Sequence, residues 1–166
     1  MHILINRKYL TFENYKVKCA IGKRGIAHKK KEGDLITPKG SFKIKFLLFR
    51  NDRIKKIQTK LKKIKIKRNM GWCDDPRSIK YNKLVNLPFK YNCEKLYKKE
   101  NIYDLILVLN YNMTPTKKNR GSAIFIHVAR KDYKKTEGCI AIKKNHLLEI
   151  LNRINKRTKV KIVAQK

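Results

Sequence analysis

The sequence predicts a mainly β fold, a packed sandwich or barrel-like core with one or two flanking helices. Three observations carry this. Short runs rich in β-branched and aromatic residues recur from the first residues onward, separated by polar punctuation. Three later runs, "YDLILVLNYN", "SAIFIHVA" and "GCIAI", are apolar almost without a break, as strands buried on both faces are. Clean helical periodicity is confined to one long segment near the end.

Taken in order, "HILIN", "KYLTF" and "KVKCAIG" read as three strands. "KRGIAHKKKEGD" is a polar loop, and "TPKGSF" a turn built around Pro38 and Gly40. "FKIKFLLF" alternates at its start, which is a strand pattern. Residues 50–70 place Ile54, Ile57, Leu61 and Ile64 at helical spacing and then alternate as "IKIK". An amphipathic basic helix, a basic strand and a mobile loop all fit. A membrane or nucleic-acid surface would suit the helix. A solvated connection whose few apolar residues touch the core is the plainer reading, and we favour it.

"GWCDDPRSIKYN" reads as an irregular loop and "YNCEKLYKKEN" as a short helix. "YDLILVLNYN" is a central strand, followed by two more in "SAIFIHVA" and "GCIAI". In "NHLLEILNRINKRT", Leu147, Leu151 and Ile154 share a face with Leu148 and Ile150 beside it, so this is a helix. "KVKIVA" is the last strand. There is no internal repeat and no Pro/Gly/Ser linker, and 166 residues suit one domain over 1–166.

The chain carries 44 Lys+Arg against 12 Asp+Glu, a formal charge of +32. Such a charge attracts nucleic acid, anionic lipid or an acidic polymer. Lys, Ile and Asn also share A/T-rich codons, so genome composition alone accounts for the bias. A helix-turn-helix, zinc-finger or aromatic RNA-binding signature is missing, so a nucleic-acid partner is not expected. No stretch approaches the roughly 18 apolar residues of a membrane helix. The N-terminus shows no export signal. Cys19, Cys73, Cys93 and Cys139 form no CxxC pair, so a zinc site is not expected. Disulfides among them would need an oxidising compartment.

Chemistry concentrates in "IFIHVARKDYKKTEGCIAI". Alternation points Ile124, Ile126 and Val128 one way and Phe125, His127 and Ala129 the other. It likewise sets Cys139 and Ala141 on one face and Ile140 and Ile142 on the opposite one. Two adjacent strands would then aim His127 and Cys139 at a common cleft. A thiol needs a base or electropositive surroundings to act as nucleophile, and His127 and the nearby lysines supply both. Backbone N–H groups at Gly138 and Cys139 would face a developing oxyanion. On spacing alone, two buried residues that happen to be near in sequence remain the alternative.

The wider pattern resembles the L,D-transpeptidase (YkuD-like) family. Its signature has a His at a strand end, a loop, and a [ST]-H-G-C element with the nucleophilic Cys. "TPKGSF" is similar to an upstream T-P-x-G-x-F stretch of that family. "GWCDDP", "YNKLVNLPF" and "LVLNYN" resemble a compact subgroup made of the catalytic domain alone. The resemblance implies a mixed β-sandwich of that type, with Cys139 as nucleophile, His127 as base, Gly138 as the turn glycine and Thr136 at the [ST] position. Glu137 stands where a second histidine is usual, Ala141 replaces an Arg or Asn, and the His-to-Cys loop is short.

The implied activity is cysteine acyl transfer on peptidoglycan stem peptides, in the periplasm or cell envelope, with no metal or cofactor needed. The cytoplasm stays open because no export signal is visible. A thiol peptidase or amidase on the same peptides, or cross-linking at another stem position, is the alternative that the departures motivate. A basic nucleic-acid-binding module without catalysis is the second. Further substrate-binding candidates are Glu137, Thr136, Arg120, Arg130, Tyr111, Trp72 and Asp74. Arginines suit a substrate carboxylate, and Asp74 and Asp75 suit either a substrate amine or the cap of the following turn. His2, His28 and His146 read as surface residues.

Overall fold

A computed structural model describes residues 2–164. In chain order the elements are β1 (His2–Ile5), β2 (Tyr9–Phe12), β3 (Tyr15–Lys18), β4 (Ile26–Ala27), β5 (Thr37–Pro38), β6 (Gly40–Phe49) and β7 (Lys63–Lys65). Then come β8 (Met70–Cys73), β9 (Leu84–Asn86), β10 (Cys93–Lys95), a 3₁₀ turn (Asn101–Tyr103), β11 (Leu105–Leu109), β12 (Phe125–Val128), β13 (Ile140–Ile142), α1 (Lys144–Arg153) and β14 (Lys159–Ile162). The fold is mainly β with one flanking helix among the described residues, as the sequence predicts.

The main sheet runs β13-β12-β11-β6-β14-β1-β2-β3, with β7 also on β6. It is mixed: β12–β13, β1–β14 and β6–β7 are parallel, and its other pairs antiparallel. A smaller sheet has the order β10-β8-β9, and β4 pairs with β5. β11 explains the architecture. All five of its residues are buried. Leu105, Leu107 and Leu109 enter one core with Ile126 and Ile140, while Ile106 and Val108 enter a second core with Trp72 and Phe125. A strand apolar on both faces requires a layer on each side. The first layer holds Leu147, Ile150 and Leu151 of α1, Ile154 beyond it and the N-terminal strands. The second comes from Met70, Trp72 and Leu96 of the smaller sheet and its edge.

Three expectations change. "TPKGSF" is not a turn. Thr37 and Pro38 pair in parallel with Ile26 and Ala27, and Gly40 already pairs with Ile162 in β6. "YNCEKLYKKEN" forms β10 and the approach to the 3₁₀ turn, because pairing of Cys93, Glu94 and Lys95 with β8 outweighs a weak helical preference. The "GWC" of the supposed loop is β8, and β9 follows where no strand was expected. The favoured reading of residues 50–70 holds, since they contain no helix. They are a connection with one three-residue strand, anchored by buried Ile54, Leu61 and Ile66.

All four cysteines are free thiols, although Cys73 and Cys93 are direct partners across β8 and β10. His146 is not a bare surface residue, since its Nδ1 meets the Tyr15 hydroxyl. No helix among the described residues is long and apolar enough to cross a membrane.

Candidate active site

Alternation along β12 does what the sequence implies. Ile126 and Val128 fill the first core, Phe125 joins the second, and His127 lines a cleft of about 430 Å³. β13 lies parallel to β12, with Ile126 opposite Ile140 and His127 opposite Ala141. Cys139 immediately precedes β13 and lines the same cleft.

The turn that carries Cys139 is held from both sides. On one side Ala20 and Ala141 exchange backbone hydrogen bonds, and Thr136 donates to Ile21 O and accepts from Lys23 N–H. On the other side Thr37, fully buried, donates through Oγ1 to Gly138 O at 2.9 Å and accepts the Gly22 N–H at 2.8 Å. A trans peptide sends its C=O and N–H in opposite directions. Fixing Gly138 O on Thr37 therefore turns the Cys139 N–H the other way. Gly138 has φ 147°, and a Cβ there would come within 3.0 Å of Ile36 O, so glycine is required twice over.

The expected pair of oxyanion donors is not free as a pair. Gly138 N–H donates to Thr136 Oγ1 at 3.2 Å, and that hydroxyl in turn donates to Cys139 O at 2.6 Å. Thr136 thus braces the turn and also lines the cleft.

His127 Nδ1 lies 3.0 Å from Val128 O. A carbonyl only accepts, so Nδ1 carries the proton and Nε2 is the basic nitrogen of the neutral ring. Burial lowers the His127 pKa, with the Val128 hydrogen bond opposing it. The Tyr103 ring stands edge-on to the imidazole, centroids 5.3 Å apart. Cys139 Sγ donates to Ala123 O at 3.1 Å. Burial pushes the thiol up to about 12, Glu94 adds to the rise, and Lys29 only partly opposes it. The lysines therefore do not make a resting thiolate as the sequence suggested, because desolvation outweighs their field. The resting pair is a neutral thiol and a neutral imidazole.

Ala123 is itself held in the left-handed region, φ 52°. Its N–H donates to Asn82 Oδ1, which also accepts the Trp72 indole N–H, while Asn82 Nδ2 donates to Tyr111 O and Asn112 O. All four hydrogen-bonding positions of this buried amide are used.

The remaining candidates divide. Asp74, Glu137 and Arg130 line the cleft. Glu137 is exposed, with Lys23 at 3.8 Å, and Arg130 is exposed, 3.9 Å from Glu100. Trp72, Tyr111 and Arg120 lie outside the lining. Trp72 is buried edge-on against Phe125. Tyr111 packs on Phe42 and donates to Arg120 O, and the Arg120 guanidinium donates to Lys30 O. Asp75, next to Asp74, is the turn cap: it accepts from Arg77 N–H, the Arg77 guanidinium and Asn92 N–H. Sequence reasoning missed Thr37, Asn82, Tyr103, Glu32 and Glu94. Thr37 lay in a motif quoted as a turn, so its signal was present and its role was not.

A family model, "L,D-transpeptidase catalytic domain", matches residues 2–162. The chain belongs to the YkuD family. Members of this family are L,D-transpeptidases, enzymes of peptidoglycan. Among solved structures, the helical cell shape determining protein Pgp2 from Campylobacter jejuni is similar at 18% identity, covering 99% of this chain and 48% of that one, with a TM-score of 0.52. A variant of the same protein aligns at 19% identity over 99% and 47%, with a TM-score of 0.45. The YkuD chain described here thus spans about half the length of that solved relative. None of the curated proteins matches it.

Proposed function

We propose that this YkuD domain is a cysteine acyltransferase acting on peptidoglycan stem peptides in the cell envelope. The observation that carries the reading is that Cys139 and His127 open on one cleft, His127 on β12 and Cys139 immediately before β13. Cys139 Sγ attacks the amide carbonyl that follows the L-centre of a diamino acid, and His127 Nε2 takes the thiol proton as the C–S bond forms. Because thiol and imidazole start neutral, this proton transfer accompanies attack rather than preceding it.

The Cys139 N–H, turned toward the cleft by the Thr37 bond to Gly138 O, donates to the oxyanion. Collapse breaks the C–N bond, and the imidazolium returns its proton to the leaving amine. An amine of a second stem then attacks the thioester and regenerates Cys139. The basic surface favours capture of an anionic polymer. Pgp2 is described as determining helical cell shape, and we place this domain in the same setting of wall remodelling.

Incubation with purified muropeptides tests the reading. Release of a terminal amino acid with formation of dimers is the expected result. Release without dimers would assign a peptidase, and unchanged muropeptides with folded protein would contradict the proposal.

A further inference from the structure

Three carboxylates, Glu32, Asp74 and Glu94, line the Cys139 cleft together with Glu137 and six basic side chains, in a chain with 44 basic and 12 acidic residues. The three come from separate parts of the chain. Two of them are partly committed. Glu32 Oε2 accepts the Tyr81 hydroxyl, and Glu94 Oε1 accepts Tyr103 and Lys98. Asp74 is not: its Oδ1 is buried without a hydrogen-bond partner.

A second group points the same way. Ser122 also lines the cleft, is 5% exposed, and its Oγ is likewise buried and unpaired, near the Tyr81 hydroxyl but outside hydrogen-bond geometry. Two buried, unsatisfied acceptors at one cleft call for a ligand with donors. Of the cations lining the cleft, Lys29 pairs with Asp34, Lys98 with Glu94, Lys23 with Glu137 and Arg130 with Glu100, and among the described residues none lies within ion-pair distance of Asp74. Burial and the nearby Glu32 and Glu94 raise the Asp74 pKa, as expected of a carboxylate waiting for a counter-ion. A metal ion fits poorly, because no three His, Cys, Asp or Glu side chains among the described residues gather tightly enough to hold one.

We infer that Asp74 and Ser122, with Glu32 and Glu94 lining the same cleft, form the subsite for a primary ammonium group of the peptide substrate. An ammonium offers three donors and one positive charge, which matches two unpaired acceptors with further carboxylates on the same cleft. The inference rests on the reading above only for the peptide nature of the ligand. The amine belongs either to the diamino acid of the donor or to the acceptor.

The test measures binding by calorimetry to Cys139→Ala protein, so that no turnover is needed. The probes are a synthetic stem tetrapeptide with a free side-chain amine and the same peptide acetylated on that amine. The free-amine peptide is expected to bind tighter, and Asp74→Asn to weaken it about tenfold, as loss of a charge-assisted hydrogen bond does, without changing the acetylated peptide. Ser122→Ala should show the same selectivity with a smaller loss. Equal binding of both peptides, equal weakening of both by Asp74→Asn, or binding of neither would overturn the inference.

Repeating the titration on wild-type protein whose Cys139 carries a carbapenem separates the sources. Asp74-dependent binding that disappears assigns the donor amine, and binding that persists assigns the acceptor. Wild-type protein that takes no carbapenem but keeps amine-selective binding would sink the acyltransferase reading and leave the ammonium subsite standing.

Discussion

On one side of the cleft, Cys139 and His127 are set by backbone. β12 and β13 are hydrogen-bonded in register, their alternate residues are locked in the first core, and Thr37 and Thr136 tie the turn between them. On the facing side, Glu32, Asp74 and Glu94 come from the loop between β4 and β5, the end of β8 and the edge strand β10. Cys139 and His127 are thus placed by strand pairing and the bonded turn, whereas the carboxylates of Glu32 and Glu94 are oriented by side-chain hydrogen bonds to Tyr81, Tyr103 and Lys98. On the proposed function this divides the labour, with bond making on the first group and selection of the ligand's charge on the second.

That contrast can be broken at three levels. The largest effect should follow His127→Gln, which removes the base but keeps a polar side chain in the slot. Turnover of muropeptides should fall by about 10²–10⁴-fold, the usual contribution of a general base, while circular dichroism stays unchanged. In the parent, the acidic limb of kcat/KM should lie below the ordinary imidazole value of 6.5, because burial keeps His127 neutral to lower pH. A limb above it would mean that His127 is not the titrating base.

Next comes the ionisation of Cys139. With the thiol pushed up to about 12, iodoacetamide alkylation of this residue should climb about tenfold per pH unit between pH 6 and 10 with no plateau, since the thiolate is the reactive form. Peptide mapping of the adduct reads this directly, and a plateau near neutrality would restore a resting thiolate. The smallest effect is expected from Thr37→Val. It leaves the Gly22 N–H and Gly138 O without their buried partner, costing about 1–3 kcal/mol of stability for an unsatisfied group. It should also lower kcat more than it raises KM, since the turn rather than the binding wall is disturbed. Equal changes in both would place Thr37 in ground-state binding.

The wall that carries Cys139 and His127 was legible in the sequence because it obeys a local rule. Period-two alternation sorted Ile126 from His127 and Ile140 from Cys139, and those residues went to opposite faces as expected. The central strand was equally plain, since "LILVL" has no polar face to leave in water. The facing wall had no such rule. Asp74 and Asp75 are neighbours with the same side chain, yet one lines the cleft and the other caps a turn onto Arg77 and Asn92. Only tertiary position separates them. β10 was misread for the same reason: "CEK" has no strong propensity and becomes a strand because β8 offers it partners. The thiol pKa failed differently, as counting lysines in a sequence measures their number and not the depth at which Cys139 is buried.

The central claim is that Cys139 is the acylated nucleophile and that His127 activates it. Intact-mass spectrometry after exposure to a carbapenem tests it most directly, on wild-type, Cys139→Ala, Cys73→Ala and His127→Gln proteins. The account predicts a one-to-one adduct on wild-type and Cys73→Ala, none on Cys139→Ala, and greatly slowed acylation of His127→Gln. An adduct that survives Cys139→Ala, or one that forms at the wild-type rate without His127, would contradict it.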